Sequence, residues 1–165
     1  MKPDDPILVA VVKRWADVYE LDPALVMAIV AVESGCEPAA ARYEPDYRHL
    51  FDPRRVRPPG CSVETEEMLQ KTSLGLMQVM GANLREMGYR GWLTEILASM
   101  DQQIELGCRY FNRCVKRWGL PDAIAAYNAG SPRLNPDGEY VNFLYVRHVL
   151  ATAERIRAGG AGATA

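Results

Sequence analysis

Apolar residues recur at helical spacing along most of the chain. Ile7, Leu8, Val11, Val12, Trp15, Val18 and Tyr19 mark a first amphipathic helix. The second differs in kind. Asp22 supplies an N-cap and Pro23 a first turn, after which Leu25 through Val32 leave no polar face. A helix apolar all round belongs in the centre of a domain. Glu33 closes it, just before the helix-stopping Gly35. From Pro38 to Gly60 the pattern breaks down into five prolines among charged residues, a long irregular segment of the kind that carries function. The alternative is a solvated loop. Ser62 caps a short helix through Lys71. Val79, Met80, Leu84 and Met87 carry the next, and a short one spans 92–98. Ile104, Cys108, Phe111, Val115 and Trp118 share one face over 101–118, Pro121 opens a helix leading to Tyr127 and Asn128, and Val141, Tyr145, Val149, Ala153 and Ile156 carry the last. The pattern predicts an all-α, mainly helical single domain over 1–157, with room for a short hairpin in 38–60. The Gly/Ala-rich residues 158–165 are expected to be disordered.

Composition adds limits. At 165 residues the chain can bury a sizeable core, and 48% hydrophobic with 24% charged residues is ordinary for a globular protein. The net charge of −2 gives no sign of a nucleic-acid partner. No run of roughly 18 apolar residues appears, so no membrane span is expected. The N-terminus lacks a signal-peptide pattern, which implies synthesis in the cytoplasm, as for a phage-associated protein, or excision from a longer exported chain. Cys36, Cys61, Cys108 and Cys114 lack metal-ligand spacing. Cys108 and Cys114, on one helix, lie about 9 Å apart, too far for a disulfide. Cys36 and Cys61 are left able to pair, with the reduced state expected in the absence of an export signal.

Glu33 is the candidate for chemistry. Partial desolvation and the negative end of the helix dipole both disfavour its charged form, raising its pKa toward what a general acid near neutral pH requires. The alternative is a helix-end glutamate exposed to water. Two further segments matter: Gly75-Leu76-Met77-Gln78-Val79-Met80 and Ala126-Tyr127-Asn128-Ala129-Gly130. Each alone reads as core or helix cap. In this order, with Glu33-Ser34-Gly35 before them and the Tyr145-Val146 pair after, they resemble the soluble lytic transglycosylase catalytic domain, a lysozyme-like fold acting on peptidoglycan. The resemblance covers about residues 20–150.

That resemblance implies cleavage of the β-1,4 bond between N-acetylmuramic acid and N-acetylglucosamine, with Glu33 as general acid and then base. The sugar's own 6-hydroxyl closes a 1,6-anhydro ring, so no second carboxylate is required. It also implies that Gln78 and Met80 line the sugar cleft, that the Tyr127 hydroxyl lies near the catalytic carboxyl, that Asn128 fixes backbone or sugar, and that Tyr145 forms a cleft wall. Ser34 joins the substrate side, with support of the turn as its favoured role. No metal or cofactor is expected. The partners are peptidoglycan glycan strands, and the chain is expected to act on the cell wall as a monomer. Val141 stands where many members have an acidic residue thought to meet the stem peptide, although Glu139 lies nearby. Glu44, in the irregular segment, is a second-carboxylate candidate and would make the chain a hydrolytic muramidase instead. A non-catalytic peptidoglycan-binding protein is the third reading.

Overall fold

The structure, a computed structural model, describes residues 1–161. Helix α1, Pro6–Val18, starts where the Asp5 side chain accepts from the amides of Ile7 and Leu8. It buries Leu8, Val12 and Ala16. Helix α2, Pro23–Ser34, is the centre of the molecule: Leu25, Val26, Met27, Ala28, Ile29 and Val30 are all buried. Gly35 ends it in the left-handed region at φ 62°, its N–H donating to the Ala31 carbonyl.

Strand β1, Ala41–Tyr43, opens the irregular segment, and a four-residue helix α3, Pro53–Val56, lies within it. Helix α4, Val63–Gln70, is capped by Ser62 and leads to β2, Thr72–Leu74, and β3, Val79–Met80. The three strands form an antiparallel sheet in the order β1-β2-β3, with Arg42 opposite Ser73 and Ser73 opposite Met80. The expected hairpin within 38–60 is therefore corrected: β1 pairs with β2, beyond that segment. Prolines 45, 53, 58 and 59 cannot donate to a ladder, whereas β2 has a full set of amides.

A second correction concerns Val79 and Met80, which form strand β3 rather than the start of a helix. Helix α5, Gly81–Glu86, begins only after them. Gly75 at φ 72° and Gln78 at φ 48° fold the intervening residues into a tight turn, which returns the chain along β2. Gly75 is required there twice over, because a Cβ would also lie 2.6 Å from the Gln103 side-chain oxygen. Gln103 holds this turn from below. It accepts from the Leu76 amide at 2.9 Å and donates to the carbonyls of Pro38 and Ile96, both at 3.1 Å.

A 3-10 segment, Leu93–Ala98, leads into α6, Met100–Trp118, which carries Gln103 and packs on α1 through Trp15–Asp101 and Tyr19–Glu105 hydrogen bonds. Gly107 lets α6 approach the turn, since a Cβ there would lie 2.2 Å from the Met77 sulfur. Helix α7, Asp122–Ala129, ends at left-handed Gly130, and α8, Phe143–Ala161, packs along α2. Val141 precedes α8 and is exposed, not part of the helix. Its amide donates to the Arg133 carbonyl, and the Leu134–Tyr140 bridge draws the chain away from helical geometry. The last helix continues through 158–161, where a disordered tail was expected. Propagation onto a formed helix avoids the nucleation cost, although Gly159 and Gly160 each oppose it by about 1 kcal/mol relative to alanine. Residues 162–165 of that expected tail lie outside the described residues. All four cysteines are buried and free. Among the described residues no helix is long and apolar enough to cross a membrane.

Candidate active site

Glu33 sits on the last turn of α2, where the apolar helix meets a cleft of about 330 Å³. The cleft is walled by Arg42 and Glu44 of the β1 segment, Gln78 and Met80 of the β2–β3 unit, and Tyr127 and Asn128 at the end of α7. The sequence-predicted Glu33, Glu44, Gln78, Met80, Tyr127 and Asn128 thus converge from four parts of the chain, whereas Ser34 and Tyr145 do not line the cleft.

The Glu33 carboxyl is held above its ordinary pKa. Burial is the largest cause, opposed by a hydrogen bond from Tyr145 and by the positive charge of Arg42. Tyr145 donates its hydroxyl to Glu33 Oε1 at 2.6 Å. Its own pKa is pushed well above the ordinary tyrosine value by burial and by the Glu33 charge, so it stays a donor. Burial and then the Glu33 charge raise the Tyr127 pKa as well, so both hydroxyls lie near the carboxyl, and Tyr145 is the one bonded to it. Tyr145 orients the acid instead of merely walling the cleft. The Tyr127 hydroxyl donates to the Met77 carbonyl at 2.6 Å, not to the acid. Its ring is clamped edge-on against Phe111. Tyr127 thus fixes the β2–β3 turn while lining the cleft.

Gln78 also has more structural work than expected. Its amide nitrogen donates to Ala40 O at 3.1 Å and Gly75 O at 2.8 Å, and its oxygen accepts from Ser73 Oγ at 2.9 Å. Both donors are committed to backbone, which leaves one acceptor lone pair for a ligand. Ser34 lies 2.8 Å from the Leu76 carbonyl and 3.1 Å from Val30 O, so it ties α2 to the turn. Asn128 accepts from Asn142 Nδ2 at 2.9 Å, and among the described residues its own amide nitrogen has no protein partner. Asn128 lines the cleft and keeps that donor free. Met80 supplies an apolar, polarizable wall.

Glu44 lines the same cleft as Glu33, but Arg42 holds it at 2.6 Å. Arg42, Tyr47, Asn83 and Tyr110 are cleft residues that sequence reading missed. Tyr110 had one legible signal: it is an aromatic residue off the apolar stripe of α6. Arg42 had none, being one of many charges in an irregular segment. Among the described residues no three His, Cys, Asp or Glu side chains gather as a metal-ligand set.

The arrangement can deliver one proton from a protonated carboxyl to a ligand in the cleft and take one back. No curated protein and no solved structure matches the chain. A family model, the Transglycosylase SLT domain, matches residues 10–145, a span that includes Glu33, the Gln78 turn, Tyr127 and Tyr145. The chain belongs to the Transglycosylase SLT domain family.

Proposed function

We propose that this protein is a peptidoglycan lytic transglycosylase that cleaves the β-1,4 bond between N-acetylmuramic acid and N-acetylglucosamine and leaves 1,6-anhydromuramic ends. The observation that carries this reading is Glu33, a desolvated carboxyl with a single tyrosine donor, open to a cleft lined by hydrogen-bonding and aromatic side chains. Protonated Glu33 gives its proton to the glycosidic oxygen as the bond to C1 breaks and positive charge develops on the sugar. The substrate's acetamido group shields that charge. The 6-hydroxyl oxygen then bonds to C1, and its proton returns to the Glu33 carboxylate. No water is consumed, and the intramolecular attack gains from its high effective molarity. Asn128 and the free lone pair of Gln78 meet sugar polar groups, while Tyr110 and Tyr127 offer ring surfaces. The chain works as a monomer on the cell wall, with no cofactor.

A hydrolytic muramidase is the second reading, favoured by the presence of Glu44 on the same cleft wall. Its ion pair with Arg42 argues against it, because at 2.6 Å the guanidinium already engages the carboxylate that would have to hold the attacking water. Mass spectrometry of digested glycan strands separates the two. Anhydro ends, with Glu44→Gln retaining most activity, are expected. Reducing ends with an inactive Glu44→Gln would establish the muramidase.

A further inference from the structure

The catalytic cleft does not end at Asn128. Met80, Asn83, Tyr110, Tyr127 and Asn128 also border a second cavity of about 810 Å³, so the two form one groove. The charge of its far part is unlike that of the whole chain. Arg113, Arg117, Arg133 and His49 border it, and among the described residues Glu86 is its one carboxylate. Glu86 is engaged with Arg113 at 3.1 Å. Arg117 lies over the Trp118 ring, 4.6 Å from its centroid, and among the described residues neither Arg117 nor Arg133 has a carboxylate partner. Cations near the C-terminal end of α6 complement the helix dipole, so Arg113 and Arg117 alone would say little. Arg133 comes from a different part of the chain, the loop after α7. Its convergence on the same cavity, in a chain of net charge −2, is what needs an explanation.

We infer that this basin binds the carboxylates of the peptide carried by the glycan, positioning the strand so that its scissile bond lies against Glu33. The inference rests on the peptidoglycan reading above. A cavity of this size accommodates a few peptide residues. Arginine forks match carboxylates in two-point geometry, and Trp118 and Tyr47 give the peptide an apolar wall. Specificity is thereby divided along the groove: sugars are met at the Glu33 end and acidic peptide at the arginine end.

The test is equilibrium binding by fluorescence anisotropy, using a labelled N-acetylglucosaminyl-N-acetylmuramitol peptide that lacks the cleaved bond. The double variant Arg117→Gln/Arg133→Gln is expected to weaken binding roughly tenfold relative to wild type, by loss of two exposed charge-assisted contacts. The double lysine variant should recover part of it. Methylamidation of the peptide carboxylates should reduce wild-type binding to the level of the glutamine variant. Unchanged affinity on either mutation or amidation would overturn the inference, as would tighter binding of oligothymidylate than of the peptide. Turnover of peptide-free glycan strands should be equal in wild type and variant. If wild type fails to cleave any strand, the functional reading falls, while the binding comparison still decides the role of the basin.

Discussion

Glu33 and Glu66 each sit on a helix with a carboxylate largely withdrawn from bulk water, yet their surroundings differ sharply. Glu66, on α4, is fully buried and grips the fully buried Arg85 with both oxygens, at 2.7 and 2.9 Å. Gln70 adds a third bond at 2.9 Å. Gln70 in turn exchanges two hydrogen bonds with the Phe51 backbone, and Arg85 donates to the carbonyls of Tyr89 and Gly91. The network fastens the irregular segment to α4 and α5. Among the described residues Glu33 has only the Tyr145 hydroxyl and a more distant Arg42. Burial therefore does not make a catalytic acid by itself. What distinguishes Glu33 is burial with too few donors to restore the charged form, next to open space.

The comparison can be broken most forcefully at Arg85. Arg85→Ala leaves the Glu66 charge buried without its cation and should destabilise the fold by about 3–5 kcal/mol, read by denaturant unfolding. Activity per folded molecule should persist; a selective loss of turnover would mean that this pair also serves the site. Tyr127→Phe tests the intermediate case. The Met77 carbonyl loses its buried donor, for a cost of about 1–3 kcal/mol, and the turn carrying Gln78 loosens. Melting temperature and KM should both change, whereas the alkaline limb of the pH profile should not.

Tyr145→Phe should have the smallest effect on stability and a diagnostic effect on pH. Because Tyr145 lowers the Glu33 pKa, its removal raises that pKa further. Protonated acid then persists to higher pH, and the alkaline limb of kcat/KM should move upward. A limb that moves down, or stays, would show that another group sets it.

The sequence showed α2 clearly because its signals agree: Asp22-Pro23 at the start, an unbroken apolar run, and Gly35 at the stop. Glu33 was legible for the same reason, as the polar exception ending that run. The β2–β3 turn was not. Its Met-rich residues suit a helix equally well, and what decides is Gln103, a side chain from α6 that no local pattern links to it. The hydrogen-bond partners of Tyr127 and Tyr145 were not legible, because a hydroxyl's partner is a tertiary fact. The Glu66–Arg85 pair escaped notice altogether. On α4, with Glu64 and Glu67, Glu66 reads as part of a solvated charged face until Arg85 is placed beneath it.

Glu33→Gln tests the central claim most directly, when lytic activity and thermal unfolding are measured on the same preparations. The raised pKa means that above 4.5, the ordinary carboxylate value, the folded chain holds more protons than the unfolded one, so Glu33 lowers stability as pH rises. Glutamine removes that penalty. The variant should lose at least about 100-fold in activity, be as stable as wild type or more so at neutral pH, and converge with it below pH 4.5. A folded variant that keeps near-full activity, or one that unfolds as Arg85→Ala is expected to, would contradict the assignment of Glu33 as the acid.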